Sequence, residues 1–134
     1  MKIVLEDGAK VSRAHPWDGG LDLCSRDFRF IKSNGTWTFD TGVHVEIPEG
    51  YVGFIRTRSS MMREGIYTDG TIDAHYTGSI KVQLRNLSAH RFHVQAGDRI
   101  AQLVIVPCLI PKLEPVESLG KTDRGNGGFG STGR

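Results

Sequence analysis

Between Ile80 and Arg85 the chain alternates strictly, with Ile80, Val82 and Leu84 on one side and Lys81, Gln83 and Arg85 on the other. A two-residue period predicts a half-buried strand, because successive side chains of a strand point to opposite faces. Val43, Val45 and Ile47 alternate with His44 and Glu46 in the same way. Pro48-Glu49-Gly50 then reads as a turn into a strand from Tyr51 to about Arg58. Another short strand closes at Val94, and Gln95-Ala96-Gly97-Asp98 turns the chain into Arg99–Val106. That last segment is apolar on both faces except at Gln102, as suits a barrel interior or a subunit interface. Helical periodicity is nearly absent, and the one predicted helical turn lies around 60–64. Glycine supplies 17 of 134 residues, well above the usual ~7%. Strands closed by many tight turns predict an all-β fold.

This length predicts one domain, 1–123, followed by a glycine-rich arm, 124–134, and no linker divides the chain. Seventeen basic residues against 15 acidic ones give a net charge of +2. That is too little for a nucleic-acid face, although Arg56, Arg58 and Arg63 bunch at the scale of a few phosphates. No apolar run reaches the ~20 residues of a spanning helix, and Glu6 and Asp7 come too early for a secretory leader. We therefore expect no nucleic-acid partner and no membrane. Cys24 and Cys108 have no metal-type spacing, which fits a reducing, cytoplasmic setting (a host's cytoplasm if the source is viral).

The segment 124–134 holds five glycines and one apolar side chain, Phe129. Glycine loses the most entropy on ordering, so the segment cannot fold by itself. It reads either as a disordered terminus or as an arm that orders over a ligand, with glycine N–H groups and hydroxyls lining phosphate oxygens. His90 and His93 stand three apart without a third ligand, so no zinc site is expected.

Five segments, in order, resemble the five motifs of the trimeric dUTP pyrophosphatases. They are Asp18-Gly19-Gly20-Leu21-Asp22-Leu23, Arg56-Thr57-Arg58-Ser59-Ser60, Gly70-Thr71-Ile72-Asp73-Ala74-His75-Tyr76-Thr77-Gly78, Gly97-Asp98-Arg99-Ile100-Ala101-Gln102-Leu103, and the glycine-rich arm. The resemblance covers most of the chain. It implies a jelly-roll-like β-barrel that assembles as a homotrimer with shared active sites, and hydrolysis of dUTP to dUMP and pyrophosphate with Mg²⁺.

The resemblance also assigns roles. Asp73 activates the attacking water. An aspartate is ionised but weakly basic at pH 7, so its value there is mainly geometric. Tyr76 packs under the deoxyribose and leaves no room for a 2′-hydroxyl. Backbone groups around Gly70 and Ile72 read uracil, and an incoming cytosine amino group would set donor against donor. Arg58, Ser59, Ser60 and Gln102 contact the phosphates. Asp22 holds waters of a Mg²⁺ ion that the phosphates bind, in keeping with magnesium's retention of its waters. Arg124, Gly130, Ser131 and Thr132 clamp the phosphates while Phe129 stacks on the base. His75 is given no role.

Two departures stand out. Ser60 replaces the glycine usual after Arg-Ser, and Met61-Met62 replace a Leu-Ala-like pair. Arg-Ser-Ser also occurs in the related dCTP deaminases, but those carry a glutamate where this chain has Gln83, and glutamine cannot shuttle a proton. The stretch 65–70 is shorter than in many relatives. A dUTP-binding module acting on a protein partner, as some phage members of the family resemble, is the other open alternative.

Overall fold

A computed structural model of the chain describes residues 1–128. Its strands in order are β1 (Lys2–Leu5), β2 (Val11–Ser12), β3 (Gly20–Cys24), β4 (Arg29–Ile31), β5 (Thr36–Asp40), β6 (Val43–Glu46) and β7 (Tyr51–Arg56). One short helix, α1 (Ser59–Arg63), follows, and then β8 (Ile66–Tyr67), β9 (Asp69–Ile72), β10 (Lys81–Asn86), β11 (Phe92–Val94) and β12 (Arg99–Pro107). The fold is the expected all-β, jelly-roll-like one. Regular structure ends at Pro107 among the described residues, and the arm positions 129–134 lie outside them.

The largest sheet has five strands in the order β2-β3-β12-β7-β9, each neighbouring pair antiparallel. A three-stranded sheet, β5-β10-β8, faces the rest of the core, and the pairs β1-β6 and β4-β11 complete the set. The alternation at 80–85 survives: Val82 and Leu84 of β10 are fully buried while Lys81, Gln83 and Arg85 are exposed. With Phe39, Val43, Ile55, Ile66, Ile80, Ile100 and Leu103 they form one core. Asn86, the third inward residue of β10, is buried but satisfied: its amide donates to the Ile31 and His90 carbonyls and its oxygen accepts from Ser88.

Two expectations shift at their ends. The strand from Tyr51 stops at Arg56, because Thr57 and Arg58 turn into α1, and the helix occupies Ser59–Arg63 rather than 60–64. The methionine that departs from the familiar pattern explains α1: Met61 drives into the core while Ser59, Ser60 and Met62 stay exposed. The short 65–70 stretch changes sheets at Thr68, with β8 pairing to β10 and β9 to β7. Thr57 holds the crossover, its hydroxyl accepting from Thr68 N at 2.8 Å and donating to Thr68 O at 2.7 Å.

Candidate active site

Register across the five-stranded sheet sets Ser12, Asp22, Gln102, Arg56 and Asp69 in one transverse row. Asp22, second in that row, is almost wholly buried, its side chain 5% exposed. A buried charge is tolerated only when paired and hydrogen-bonded, and Asp22 is both. Its Oδ1 accepts from Arg58 Nε at 2.9 Å and Gln102 Nε2 at 3.3 Å, and its Oδ2 from Arg99 Nη1 at 3.2 Å. Arg58 also donates to the Arg99 carbonyl at 3.3 Å. Gln102 reaches Asp22 because Gly20 offers no side chain in its way: a Cβ there would lie 3.0 Å from Gln102 Cδ. The polar interruption of a doubly apolar strand thus has a partner, as buried amides require.

Two guanidiniums converge on this one carboxylate. Arg58, Ser60, Asp98 and Arg99 line a polar recess of about 240 Å³ beside it. Further along the row, Arg56 pairs with Asp69 at 3.0 Å, well exposed to solvent. Cys24, two residues beyond Asp22, has its thiol pushed above the ordinary value, first by burial and then by the Asp22 carboxylate. It is a protonated core residue rather than a nucleophile.

Gly70 and Ile72 sit on β9, the edge strand of the sheet, where Gly70 packs on Ile55 and pairs in register with it. An edge strand leaves alternate N–H and C=O groups without a ladder partner. Tyr67, Thr68, Asp69, Gln83, Arg85 and Leu87 border a cleft of about 290 Å³ beside this edge. Thr68 Oγ1 is buried there with no hydrogen-bond partner among the described residues. Gln83 donates to Thr38 Oγ1 at 3.3 Å.

Asp73 follows β9 directly and is exposed. Among the described residues its carboxylate makes no hydrogen bond, while its carbonyl accepts from Tyr76 N at 3.2 Å to close a turn. His75 takes the left-handed position of that turn, φ 68°, and its Nε2 lies 3.1 Å from Glu49 Oε1. Tyr76 folds back over Gly78, where a Cβ would stand 2.6 Å from the phenol oxygen, and its hydroxyl donates to the Ser79 carbonyl at 3.0 Å.

The structure therefore brings together Asp22, Arg58 and Gln102, with Ser59 and Ser60 on the adjoining helix, and separately Gly70, Ile72, Asp73 and Tyr76. Asp73 lies four residues beyond the row through Asp69, about 13 Å at ~3.3 Å per residue. Arg124 joins neither group: its Nε donates to the Gly127 carbonyl at 3.0 Å. Phe129, Gly130, Ser131 and Thr132 fall outside the described residues. Sequence reasoning missed Arg99 as the second cation on Asp22. No local signal marks it, because the shared carboxylate depends on the register between β3 and β12. Among the described residues no group of three His, Cys, Asp or Glu side chains converges as a metal cage.

A family model described as dUTPase matches residues 6–133. The deoxyuridine 5′-triphosphate nucleotidohydrolase of Cutibacterium acnes is 45% identical over 125 residues, covering 90% of this chain and 82% of that protein. The Staphylococcus bacteriophage 80alpha dUTPase with dUPNHPP superposes with a TM-score of 0.87 at 30% identity, covering 99% and 98% of the two chains. That structure belongs to phage dUTPases said to control transfer of virulence genes by a G protein-like mechanism. A mutant dUTPase of phage phi11 of S. aureus, described for its coordination of a structural Mg(II) ion, gives 0.82 at 27% identity, covering 90% and 98%.

Proposed function

The chain belongs to the dUTPase family and is a dUTP diphosphatase, and from that premise we propose how its residues divide the reaction. Water attacks the α-phosphorus of dUTP, the bond to the bridging oxygen breaks, and dUMP and pyrophosphate leave. Asp73 orients that water and takes its proton. One observation carries this assignment: of the four aspartates in the motif segments, Asp18, Asp22 and Asp98 accept hydrogen bonds from protein donors, whereas the Asp73 carboxylate is exposed and free of any from the described residues. A general base must have its lone pairs available to water.

The fixed ring of Tyr76 supplies a flat wall for the deoxyribose, since its hydroxyl is already engaged by Ser79. The unpaired edge of β9 at Gly70 and Ile72 reads uracil, in the way edge strands recognise extended ligands. Arg58, Ser59, Ser60 and Gln102 receive the phosphates, supported by the two guanidiniums held in place on Asp22. Preorganised cations that need not move when charge develops are the main source of stabilisation in phosphoryl transfer.

For Mg²⁺ the fit is narrow but real. A carboxylate offers about four lone-pair directions, three of which Arg58, Arg99 and Gln102 occupy on Asp22. One remains on Oδ2, enough for a metal-bound water and too few for a direct cage. Magnesium held mainly by substrate phosphates asks for no more. When bound, the ion would neutralise phosphate charge.

The ~13 Å between Asp73 and the row that holds the Arg58 cluster supports a homotrimer in which one subunit's Asp73 faces another's phosphate-binding residues. The face of β12 turned from the core also supports it, since Val104 and Val106 run half-buried beside Phe54. Arg124, Phe129, Gly130, Ser131 and Thr132 complete the site as an arm, so deleting 124–134 should preserve fold and trimer and remove most activity. We place the protein in the cytoplasm, in keeping with its two unpaired cysteines. The direct test is pyrophosphate release with Mg²⁺ from dUTP, dCTP, dTTP and UTP in separate reactions. Release from dUTP alone is expected. Binding of dUTP without release from any of them would instead favour the regulatory reading that the 80alpha relative suggests.

A further inference from the structure

The loop from Asp73 to Ser79 is pinned to the barrel on one side by residues that none of the five motifs contains. His44, on β6, places Nδ1 2.8 Å from the Thr77 carbonyl and Nε2 2.8 Å from Glu6 Oε1. Carbonyl and carboxylate oxygens only accept, so both ring nitrogens must donate, and a neutral imidazole has a single N–H. The histidine that makes both contacts is an imidazolium.

The charged groups around it agree. Glu6, arriving from β1, shares its other oxygen with Arg26 at 2.8 Å. Arg26 reaches the Asp40 carbonyl at 3.2 Å, and Asp40 at the end of β5 accepts from Lys81 of β10 at 2.9 Å and from Ser79 Oγ. Lys2 and Glu46 pair with each other on the same two strands. Two acidic groups, Glu6 and Asp40, act directly on the ring, and both favour its charged form.

We propose that His44 is a positioning residue for hydrolysis: as an imidazolium it ties the Thr77 end of the catalytic loop to Glu6 and so fixes where Asp73 and Tyr76 stand. This rests on the reading of Asp73 as the base. The Thr77 carbonyl lies one residue past Tyr76, so freeing it loosens the sugar wall and the water site together.

The pH sign follows from the ring. Its folded value is raised above the ordinary 6.5, first by the Thr77 carbonyl and then by Glu6. The clamp is therefore complete below 6.5 and is lost as pH rises through the raised value. Turnover should fall on the alkaline side of that value with little change in KM for dUTP.

Glu6→Gln separates this from other causes. The oxygen of the substituted amide can still accept from Arg26, while its NH₂ donates to a neutral His44 whose remaining N–H serves Thr77. The clamp then no longer requires the ring's charge. The experiment combines ¹⁵N NMR titration of the His44 ring with kcat–pH profiles of the full-length wild type, Glu6→Gln and His44→Ala. Expected are a ring titrating above 6.5, an alkaline fall in the wild type that Glu6→Gln abolishes, and a kcat for His44→Ala about tenfold lower at pH 6, the scale of a modest misplacement. Ionisation of uracil adds equally to every profile and cancels in the comparison. A ring titrating at or below 6.5, or an alkaline fall unchanged in Glu6→Gln, overturns the proposal. Full turnover by Asp73→Asn would instead overturn the reading of the loop while leaving the NMR result standing.

Discussion

Asp22, on an inner strand of the five-stranded sheet, and Asp73, just past its edge strand β9, are carboxylates built in opposite ways. Asp22 is buried under two guanidiniums and an amide that use three of its four acceptor directions. The Asp73 carboxylate is exposed, without a hydrogen bond from the described residues, on a loop that side chains such as His44 tie to the barrel. A carboxylate so fully engaged fixes the charges around it and has little left for chemistry. One left free contributes nothing to the fold and is available to water. The contrast separates positioning from reaction within a few strands, and it is open to direct attack.

The strongest attack is Asp73→Asn. Removing a general base costs typically 10²–10⁴-fold in rate, so turnover of dUTP should fall about a thousandfold. Melting temperature and dUTP affinity should hold, since the side chain supports no contact of the fold. Calorimetry beside a pyrophosphate assay checks both halves. Asp22→Asn should do the reverse and unfold the protein more easily. Breaking a buried pair by removing one partner costs about 3 kcal/mol or more, since Arg58, its side chain 17% exposed, is left facing a neutral amide. Denaturant titration reads that loss, and equal stability of the two variants would erase the distinction.

Much of this was legible in the sequence because its signals are local. A two-residue period needs only neighbouring residues, so Ile80–Arg85 and Val43–Ile47 announce their strands and inner faces, while Arg99–Val106, apolar on both faces, announces a strand alone. Gln102 announced a need for a partner because an amide in an apolar strand always has one. What stayed hidden is set by register between distant strands. Nothing near Arg99 says that it shares a carboxylate with Arg58, 41 residues away in the chain. Likewise His44 reads as the outward residue of an alternating strand, and its partners Glu6 and Thr77 come from 38 and 33 residues off. The 65–70 stretch was visibly short, but its change of sheet at Thr68 depends on a Thr57 hydroxyl that only the fold brings near.

A subtler effect is expected at Gly78. An alanine Cβ there would meet the Tyr76 ring at 2.6–3.0 Å, closer than any tolerated contact, and the ring must tilt away. Since neither Asp73 nor the Arg58 cluster moves, the change should appear as lost discrimination more than lost rate. The ratio of kcat/KM for dUTP over UTP should fall about tenfold, a displacement on the order of an ångström being enough for such losses. An unchanged ratio would remove Tyr76 from sugar selection.

The smallest effect tests that contrast most finely. Arg56 lies in the same transverse row as Asp22 and Gln102, yet its partner Asp69 is 75% exposed and the guanidinium itself 54%. Exposed pairs contribute about 0–1 kcal/mol because water and salt screen them. Arg56→Met keeps an unbranched side chain but removes the guanidinium, which pairs with Asp69 and sits 5.0 Å over the Phe54 ring, so stability should change by only about 1 kcal/mol and become less sensitive to salt. Arg56 and Arg58 are two residues apart in one motif, and the charge pattern alone groups them together. If Arg56→Met cost as much as Asp22→Asn, burial would not be what distinguishes the members of this row, and the shared register would have to carry the energy instead.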